Sequence, residues 1–220
     1  MHTEIFHDRK DAGQKLADQL MDCDGKETVV LAIPRGGVPV GYEIAARLNS
    51  PLDVIIPRKI PIPWNPEAGF GAITADGTMI LNEEMVRNLG LHKNEIEHEA
   101  DIVRREIMRR TEEYRDGYPP PDMENKRVII VDDGLASGYT MLAAIESVRK
   151  HNPSSVVVAV PVASSGAARL VVSKVDRFVS VLVSERLPFA VASFYREWRD
   201  LTDDEVCAYL HRDNSNEEAA

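Results

Sequence analysis

Apolar residues along the chain form short runs of strand length, and these runs alternate with segments of helical spacing. Five runs predict buried strands, over residues 28–33, 52–56, 127–131, 156–162 and 178–183. Apolar positions three and four residues apart predict helices over residues 8–22, 40–48, 92–114, 141–148, 166–173 and 203–210. Because strands that alternate with helices are typical of a parallel sheet covered on both faces, the pattern predicts the α/β class, with an open, mainly parallel sheet flanked by helices.

Two segments between the second and third predicted strands depart from this alternation. Residues 57–71 contain four prolines and two glycines, so we expect a loop, since proline disfavours a helix interior and a central strand. The short runs 70–74 and 78–81 flank Asp76-Gly77, a dipeptide typical of hairpin turns, and they predict an antiparallel excursion beside that loop.

Composition restricts the class of protein. Hydrophobic residues make up 44% of the chain and charged residues 28%, which are ordinary proportions for a globular protein. The chain has 26 basic and 36 acidic residues, hence a net charge of −10, whereas a protein that coats nucleic acid is usually basic. Cys23 and Cys207 fit no metal-ligand spacing. No export signal or membrane anchor is apparent, so we expect a cytoplasmic location.

The most informative segment is the loop after the third predicted strand, which reads Asp132-Asp133-Gly134-Leu135-Ala136-Ser137-Gly138-Tyr139-Thr140. Two carboxylates at the carboxyl end of a buried parallel strand stand where open α/β sheets bind ligands. Their burial requires hydrogen-bond donors, and the vicinal diol of a ribose supplies two. The following helix opens with free N–H groups and the hydroxyls of Ser137 and Thr140, which suit a phosphate. The segment therefore predicts a site for a ribose 5-phosphate.

A solvated turn with an ordinary helix cap is the alternative for this segment. The four aliphatic residues that precede the acids favour the binding site instead. The segment differs from a nucleotide P-loop, which would carry a lysine, and from a hydrolase elbow, which has a glycine two residues before its serine.

A second glycine loop follows the first predicted strand and reads Pro34-Arg35-Gly36-Gly37. Its consecutive N–H groups and single guanidinium suit a pyrophosphate better than a monophosphate. Arg58 and Lys59 follow the second predicted strand, so we expect them at the same sheet edge. There they would neutralise the negative charge of a pyrophosphate that departs as a leaving group. A plain turn and a surface basic pair are the alternative interpretations.

The segment from Val128 to Thr140 resembles the phosphoribosyl-pyrophosphate motif of type I phosphoribosyltransferases. The resemblance extends to most of the chain: the loop at 34–37 is similar to the family's pyrophosphate loop, and the proline-rich stretch falls where the family has a mobile catalytic loop. Family members often carry a nonproline cis peptide in the first loop, so the Pro34–Arg35 or Arg35–Gly36 bond is expected to be cis. The residue combination is similar to a subgroup of predicted phosphoribosyltransferases whose acceptor is unassigned.

This resemblance implies a Mg²⁺-dependent transfer of the 5-phosphoribosyl group from phosphoribosyl pyrophosphate to a nitrogen acceptor, a nucleobase, with release of pyrophosphate. Catalytic roles would fall to Asp132, Asp133, Lys59 and Arg35, and the two aspartates would bind the metal directly or through water. The substrate-binding set would be Arg35, Gly36, Gly37, Arg58, Lys59, Asp132, Asp133, Gly134, Leu135, Ala136, Ser137, Gly138, Tyr139 and Thr140.

The resemblance also implies a domain organisation and a homodimer. We expect one phosphoribosyltransferase-like domain over residues 1–211, with a core at 25–185, a small C-terminal hood at 186–211 and a disordered tail at 212–220. The aromatic residues of the hood would either stack on the acceptor or pack the hood itself; they are Phe189, Phe194, Tyr195 and Trp198.

Several alternatives stay open at this point. A noncatalytic protein that binds phosphoribosyl pyrophosphate and regulates a partner or a transcript is the alternative function, and a donor-synthesising kinase is disfavoured because no adenine-nucleotide motif is found. Ala136 stands where members acting on 6-oxopurines usually have an acid, which disfavours such acceptors. Glu67 would touch a ribose hydroxyl or a metal-bound water, or would be solvated. A local basic face on the long predicted helix comprises Arg104, Arg105, Arg109 and Arg110.

Overall fold

A five-stranded parallel sheet forms the centre of the structure, a computed structural model that describes residues 5–23 and 25–211. Its strands are β1 (Thr28–Ala32), β2 (Leu52–Val54), β6 (Arg127–Val131), β7 (Ser155–Ser164) and β8 (Arg177–Ser184), in the spatial order β2-β1-β6-β7-β8. Every pairing in this sheet is parallel. The central position of β6 is consistent with its run of branched aliphatic residues, since a strand covered on both faces needs no polar side. The predicted α/β fold with a mainly parallel sheet is confirmed.

Helices cover both faces of this sheet because successive strand residues point to opposite sides. Ile129 and Val131 pack beneath α1 (Arg9–Ala17) and α2 (Gly37–Leu48). Val128 and Ile130 pack beneath α5 (Tyr139–Arg149) and α6 (Ser165–Val172). The predicted helix at 8–22 is shorter than expected, and Asp8 caps it by accepting a hydrogen bond of 2.8 Å from the Asp11 N–H.

Residues 57–71 form most of an antiparallel hairpin, so the prediction of a loop there is wrong. The second sheet has the order β3-β4-β5 and consists of β3 (Arg58–Ile62), β4 (Asn65–Ile73) and β5 (Met79–Leu81). Proline is tolerated because β3 lies at the edge of this sheet and the register shifts at Pro61, which faces Gly69. The predicted turn at Asp76-Gly77 is confirmed and joins β4 to β5.

Three further helices pack with the second sheet in one apolar cluster. These helices are α3 (Glu83–Leu89), α4 (Lys93–Arg115) and α7 (Asp203–Leu210). The latter two match their predicted spans closely. The sequence pattern does not predict α3, because none of its seven residues is fully buried and its apolar periodicity is correspondingly weak.

The predicted disordered tail at 212–220 lies outside the described residues. The division into a core at 25–185 and a hood at 186–211 stays a prediction. None of the helices in the described residues is both long and apolar enough to cross a membrane.

The turn between β4 and β5 makes a pH-dependent contribution to the free energy of unfolding. Asp76 accepts hydrogen bonds from Thr78 Oγ1 at 2.7 Å and Lys150 Nζ at 2.9 Å, and it also accepts one from Thr74 Oγ1. Burial alone would raise the pKa of Asp76, but these hydrogen bonds outweigh burial and hold the pKa well below its usual value. Because the folded-state pKa is depressed, the stabilisation is fully present at neutral pH, begins to weaken below about pH 4 and is lost as the pH falls through the depressed folded-state pKa.

We therefore expect Asp76→Asn to lower the free energy of unfolding by about 1 to 2 kcal/mol at pH 7, and to lower it less at pH 3. Urea unfolding at the two pH values measures the difference. Asp18→Asn is the control, because this exposed carboxylate lies 3.4 Å from the exposed Arg47 guanidinium and such pairs contribute little. An equal loss at both pH values would show that the Asp76 charge does not stabilise the turn.

Candidate functional site

Two loops meet at the carboxyl edge of the parallel sheet because β1 and β6 are neighbours. A Cβ atom on Gly36 would lie 1.8 Å from Asp133 Oδ2, and one on Gly37 would lie 2.7 Å from the Val131 carbonyl oxygen. The backbone of the first loop therefore lies directly against the acidic pair, where only glycine fits. The expected cis peptide is confirmed and is the Pro34–Arg35 bond.

The two carboxyl groups of the second loop are partly buried at this edge. Burial raises the pKa of Asp132 well above its usual value, and the negative charge of Asp133 raises it further. Burial also raises the pKa of Asp133, while the adjacent Arg9 guanidinium opposes that shift. The Asp133 N–H donates to Asp132 Oδ1 at 2.8 Å, which fixes the first carboxyl group against the second residue's backbone. The two carboxyl groups therefore resist carrying two negative charges together unless hydrogen-bond donors or cations accompany them.

Residues 134–138 continue from the acids to the start of α5 and are tied to the end of β7. The Leu135 N–H donates to the Val162 carbonyl and the Ser164 N–H donates to the Leu135 carbonyl, both at 2.8 Å. Gly138 is the N-cap with a φ of +86°, and no side chain caps α5 in the described structure. Ala136 and Ser137 remain exposed. Uncapped N–H groups at a helix start next to an exposed small-residue loop can bind a phosphate.

The basic residues predicted for the site have other partners in this structure. Arg35 Nη1 lies 3.9 Å from Asp203 Oδ1 of α7, and Arg58 Nη1 lies 3.3 Å from Glu106 Oε1 of α4. Lys59 Nζ donates to the carbonyl of the exposed Glu67, within the hairpin. Arg58 and Lys59 follow β2, as expected, but they begin β3 of the second sheet instead of lying in a loop. Their place at the edge of the parallel sheet stays a prediction.

The structure therefore brings together only part of the predicted site. The Gly36-Gly37 backbone lies against Asp132 and Asp133, and residues 134–140 continue from them. Among the described residues, no ion pair or hydrogen bond joins Arg58 or Lys59 to the acidic pair.

Sequence reasoning missed the residues that hold Asp133. Arg9 Nε donates to Asp133 Oδ2 at 2.8 Å, and the Tyr195 hydroxyl donates to the Asp133 carbonyl at 2.6 Å. Arg9 comes from the first turn of α1, where an arginine usually lies in solvent, yet it is only 8% exposed. Tyr195 belongs to the aromatic set of the C-terminal segment, which is the available signal in the sequence.

The C-terminal aromatic residues pack against the start of the chain. The backbones of Phe6 and Tyr195 form a parallel β-bridge. Their rings are tilted with centroids 5.3 Å apart, and Phe194 is buried in the same apolar cluster. Trp198 is 38% exposed, and the guanidinium carbon of Arg9 lies 3.9 Å from the centroid of its ring. Packing thus accounts for Phe194 and Tyr195. Beside them opens a cleft of about 530 Å³, lined by Asp8, Arg9, Lys10, Pro39, Arg196, Glu197, Trp198, Arg199, Leu201 and Tyr209.

The basic face of α4 is largely neutralised by its own acids. Arg109 Nη1 lies 2.8 Å from Glu113 Oε2, Arg110 Nε lies 3.0 Å from Glu106 Oε1, and Arg104 Nη2 lies 3.4 Å from Asp101 Oδ1. Side chains three and four residues apart on a helix form such pairs, so this face offers little unbalanced positive charge.

Comparisons with known proteins agree with this geometry. The family model described as phosphoribosyl transferase domain matches residues 2–66 and 76–194. Two proteins of Mycobacterium tuberculosis, from strains CDC 1551 / Oshkosh and ATCC 25618 / H37Rv, carry the provisional name phosphoribosyl transferase. They are 41% identical to this chain over 212 residues, which cover 95% of this chain and 47% of theirs. The chain thus spans about half the length of these relatives.

Two other similar proteins are matched over most of their own length. The crystal structure of TT1426 from Thermus thermophilus superposes with a TM-score of 0.78 at 37% identity, and it covers 93% of this chain and 97% of that protein. Bifunctional protein PyrR of Clostridium novyi (strain NT) is 28% identical over 173 residues, which cover 73% of this chain and 76% of PyrR.

The contact between the two loops is tested by Gly36→Ala. The added methyl group would overlap Asp133 Oδ2, so the carboxylate must turn and its hydrogen bond from Arg9 must weaken. We expect the free energy of unfolding to fall by about 1 to 3 kcal/mol, as measured by urea unfolding. Gly166→Ala is the matched control, because no atom outside the backbone of its own helix lies within 4 Å of its added Cβ. A Gly36→Ala protein as stable as the control would contradict the close approach of the loops.

Proposed function

We propose, since this chain belongs to the phosphoribosyl transferase domain family, that the protein transfers the 5-phosphoribosyl group of phosphoribosyl pyrophosphate to a nitrogen atom of a nucleobase. The bond between the anomeric carbon and the pyrophosphate oxygen breaks, a carbon–nitrogen bond forms, the nitrogen gives up its proton to solvent, and pyrophosphate leaves. The observation that carries the proposal is the contact of Gly36 and Gly37 with Asp132 and Asp133, which unites a glycine loop and an acidic pair at one sheet edge.

The acidic pair would bind the ribose of the donor. Carboxylates of Asp132 and Asp133 accept hydrogen bonds from adjacent hydroxyl groups, and partial burial strengthens such bonds. As pyrophosphate departs, the anomeric carbon and ring oxygen gain positive charge. Negative charge on the acidic pair would stabilise that positive charge more than it stabilises the neutral sugar, which is the condition for catalysis.

The start of α5 would bind the 5-phosphate. Gly138 lets the backbone turn at positive φ, and the N–H groups of the first helical turn have no side-chain cap in the described structure. The hydroxyl groups of Ser137 and Thr140 add donors at the same end of the helix. Gly134, Leu135, Ala136 and Tyr139 complete the proposed loop.

The pyrophosphate would lie on the Gly36-Gly37 backbone, with Arg35, Arg58 and Lys59 as its cations. In this structure Arg35 pairs with Asp203 and Arg58 with Glu106, while Lys59 bonds within the hairpin. Charge neutralisation therefore requires these side chains to exchange partners when the donor binds. We propose that the β3–β4 hairpin acts as the lid that delivers Lys59 and excludes water from the site.

Mg²⁺ fits the donor set of this site, because Asp132 and Asp133 offer carboxylate oxygens, the ligands that a hard cation prefers. These residues would hold it directly or through water. When bound, it would supply positive charge beside the pyrophosphate. A homodimer and a cytoplasmic location stay predictions.

A regulatory protein that binds phosphoribosyl pyrophosphate without turnover is the second candidate. One observation favours it: the three cations assigned to the leaving group all have partners away from the acidic pair. Three of the four arginines on the basic face of α4 pair with acids of the same helix, which gives a nucleic-acid partner little support.

Pyrophosphate release tests the two candidates. The protein is incubated with phosphoribosyl pyrophosphate and Mg²⁺ across a panel of nucleobases and small amines, with a sample that lacks an acceptor. Release that requires one acceptor is the expected result. Absence of release from all acceptors, together with tight donor binding by calorimetry, would favour the regulatory protein.

The double variant Asp132→Asn, Asp133→Asn should lower turnover by more than about 100-fold, because two charge-assisted hydrogen bonds to the ribose become neutral ones. Its fold should persist, as circular dichroism can check. Glu83→Gln, Glu84→Gln is the matched control, since these adjacent acids are exposed on α3. Near-normal turnover in the aspartate variant would exclude the acidic pair from the reaction.

A further inference from the structure

Arg9 contacts the acidic pair although it belongs to neither of the two loops. We infer that Arg9 is a positioning residue, which holds the Asp133 carboxylate in the orientation that receives the ribose of the donor. This inference rests on the proposed function and adds to it a residue from outside both loops, on α1.

Three contacts fix the guanidinium group of Arg9. Its Nε donates to Asp133 Oδ2 at 2.8 Å, and its Nη1 donates to the Arg199 carbonyl at 2.8 Å. Its central carbon lies 3.9 Å from the centroid of the Trp198 ring, a cation–π contact. The side chain is 10% exposed, so it lies in one place instead of sampling solvent. A planar group with several donors suits such a role, whereas an ammonium group makes these contacts less well.

Asp133 is also held from two other directions. The Tyr195 hydroxyl donates to its carbonyl at 2.6 Å, and the Tyr195 ring lies 5.1 Å from the Trp198 ring that supports Arg9. The Gly36 backbone approaches the carboxylate so closely that an added Cβ would lie 1.8 Å from Oδ2. Arg9 therefore fixes the oxygen Oδ2 of a carboxylate whose backbone is already held by Tyr195. The orientation of the carboxylate is therefore set before any ligand arrives.

Charge gives a second reason for a fixed cation at this place. Two adjacent carboxylates repel one another, and the repulsion is strong where water is partly excluded. Arg9 offsets the charge of Asp133 by direct contact, with 14% of the aspartate side chain exposed. The acid can then keep its place in the site instead of turning out towards solvent.

The position of Arg9 depends on pairing between the two ends of the described chain. The N–H groups of Ile5 and Phe6 donate to the Phe194 carbonyl at 3.1 Å, and the Arg196 N–H donates to the Phe6 carbonyl at 2.9 Å. Asp8 then caps α1 and begins the helix that carries Arg9. The geometry of the ribose site is thus coupled to the segment that follows β8.

Donor binding by titration calorimetry in the presence of Mg²⁺ tests this role. Arg9→Gln should weaken binding of phosphoribosyl pyrophosphate by about 10-fold to 100-fold, the effect of losing one charge-assisted hydrogen bond. Arg9→Lys should recover part of the loss. In steady-state kinetics the KM for the donor should rise while the KM for the acceptor stays within about twofold, since an oriented Asp133 serves the ribose.

A double-mutant cycle separates positioning from a general structural effect. In an Asp133→Asn background, Arg9→Gln should weaken donor binding by less than about twofold, because the charge that Arg9 orients is already gone. Arg177→Gln is the matched control: its Nη1 lies 2.7 Å from Asp22 Oδ2, away from the acidic pair, and its loss should leave donor binding unchanged. If Arg9→Gln does not fold, Arg9→Lys and Trp198→Ala replace it in the binding assay. Each is expected to bind the donor more weakly than the unaltered protein.

The outcomes distinguish this inference from the proposed function. If the unaltered protein binds no donor, the proposed function fails. If it binds the donor and Arg9→Gln binds it equally well, the inference fails and the proposed function stands. Tighter binding by Arg9→Gln would also overturn the inference, because Arg9 would then occupy the ribose site as a competitor.

Discussion

The electrostatic repulsion between two adjacent carboxylates at the end of a buried strand is the constraint on which the site depends. Asp132 and Asp133 follow four aliphatic residues of β6, which place them at the edge of the sheet instead of in open solvent. Such a pair is stable only among donors and cations. Gly36 brings backbone against it, and Arg9 supplies a positive charge in direct contact. The same demand makes the edge suitable for a ligand with hydroxyl groups at one end and phosphates at the other.

Much of the fold follows from local patterns, and the exceptions have physical reasons. Runs such as 127–131 predict buried strands because branched aliphatic residues cover both of their faces. The sequence does not predict the hairpin at 58–73, because the effect of a proline depends on the position of its strand within the sheet. Pro61 lies on an edge strand at a register shift, and the local sequence does not reveal either feature. The acidic pair and both glycines are evident from the sequence. Arg9 is not, because its partner Asp133 is 124 residues away and its second partner Arg199 is 190 residues away.

The proposed site combines groups that the core holds in place with side chains that would have to change partners when the donor binds. The acidic pair, the Gly36-Gly37 backbone and the start of α5 lie on the parallel sheet and its connections, so they are held by the core. Arg35, Arg58 and Lys59 contact α7, α4 and the hairpin, respectively. Under the proposed function, recognition of the ribose and its phosphate would need little rearrangement, whereas stabilisation of the leaving group would need new contacts. The two candidate functions both require donor binding. They differ in whether the three basic side chains then contact the leaving group.

A crystal structure of the protein with phosphoribosyl pyrophosphate and Mg²⁺ tests the central claim most directly, namely that the acidic pair and the start of α5 form one ribose 5-phosphate site. The account predicts the ribose hydroxyl groups within hydrogen-bond distance of the Asp132 and Asp133 carboxylates, and the 5-phosphate on the N–H groups of residues 137–140. A donor bound with its ribose away from both carboxylates, or with its 5-phosphate on Gly36-Gly37, would contradict it.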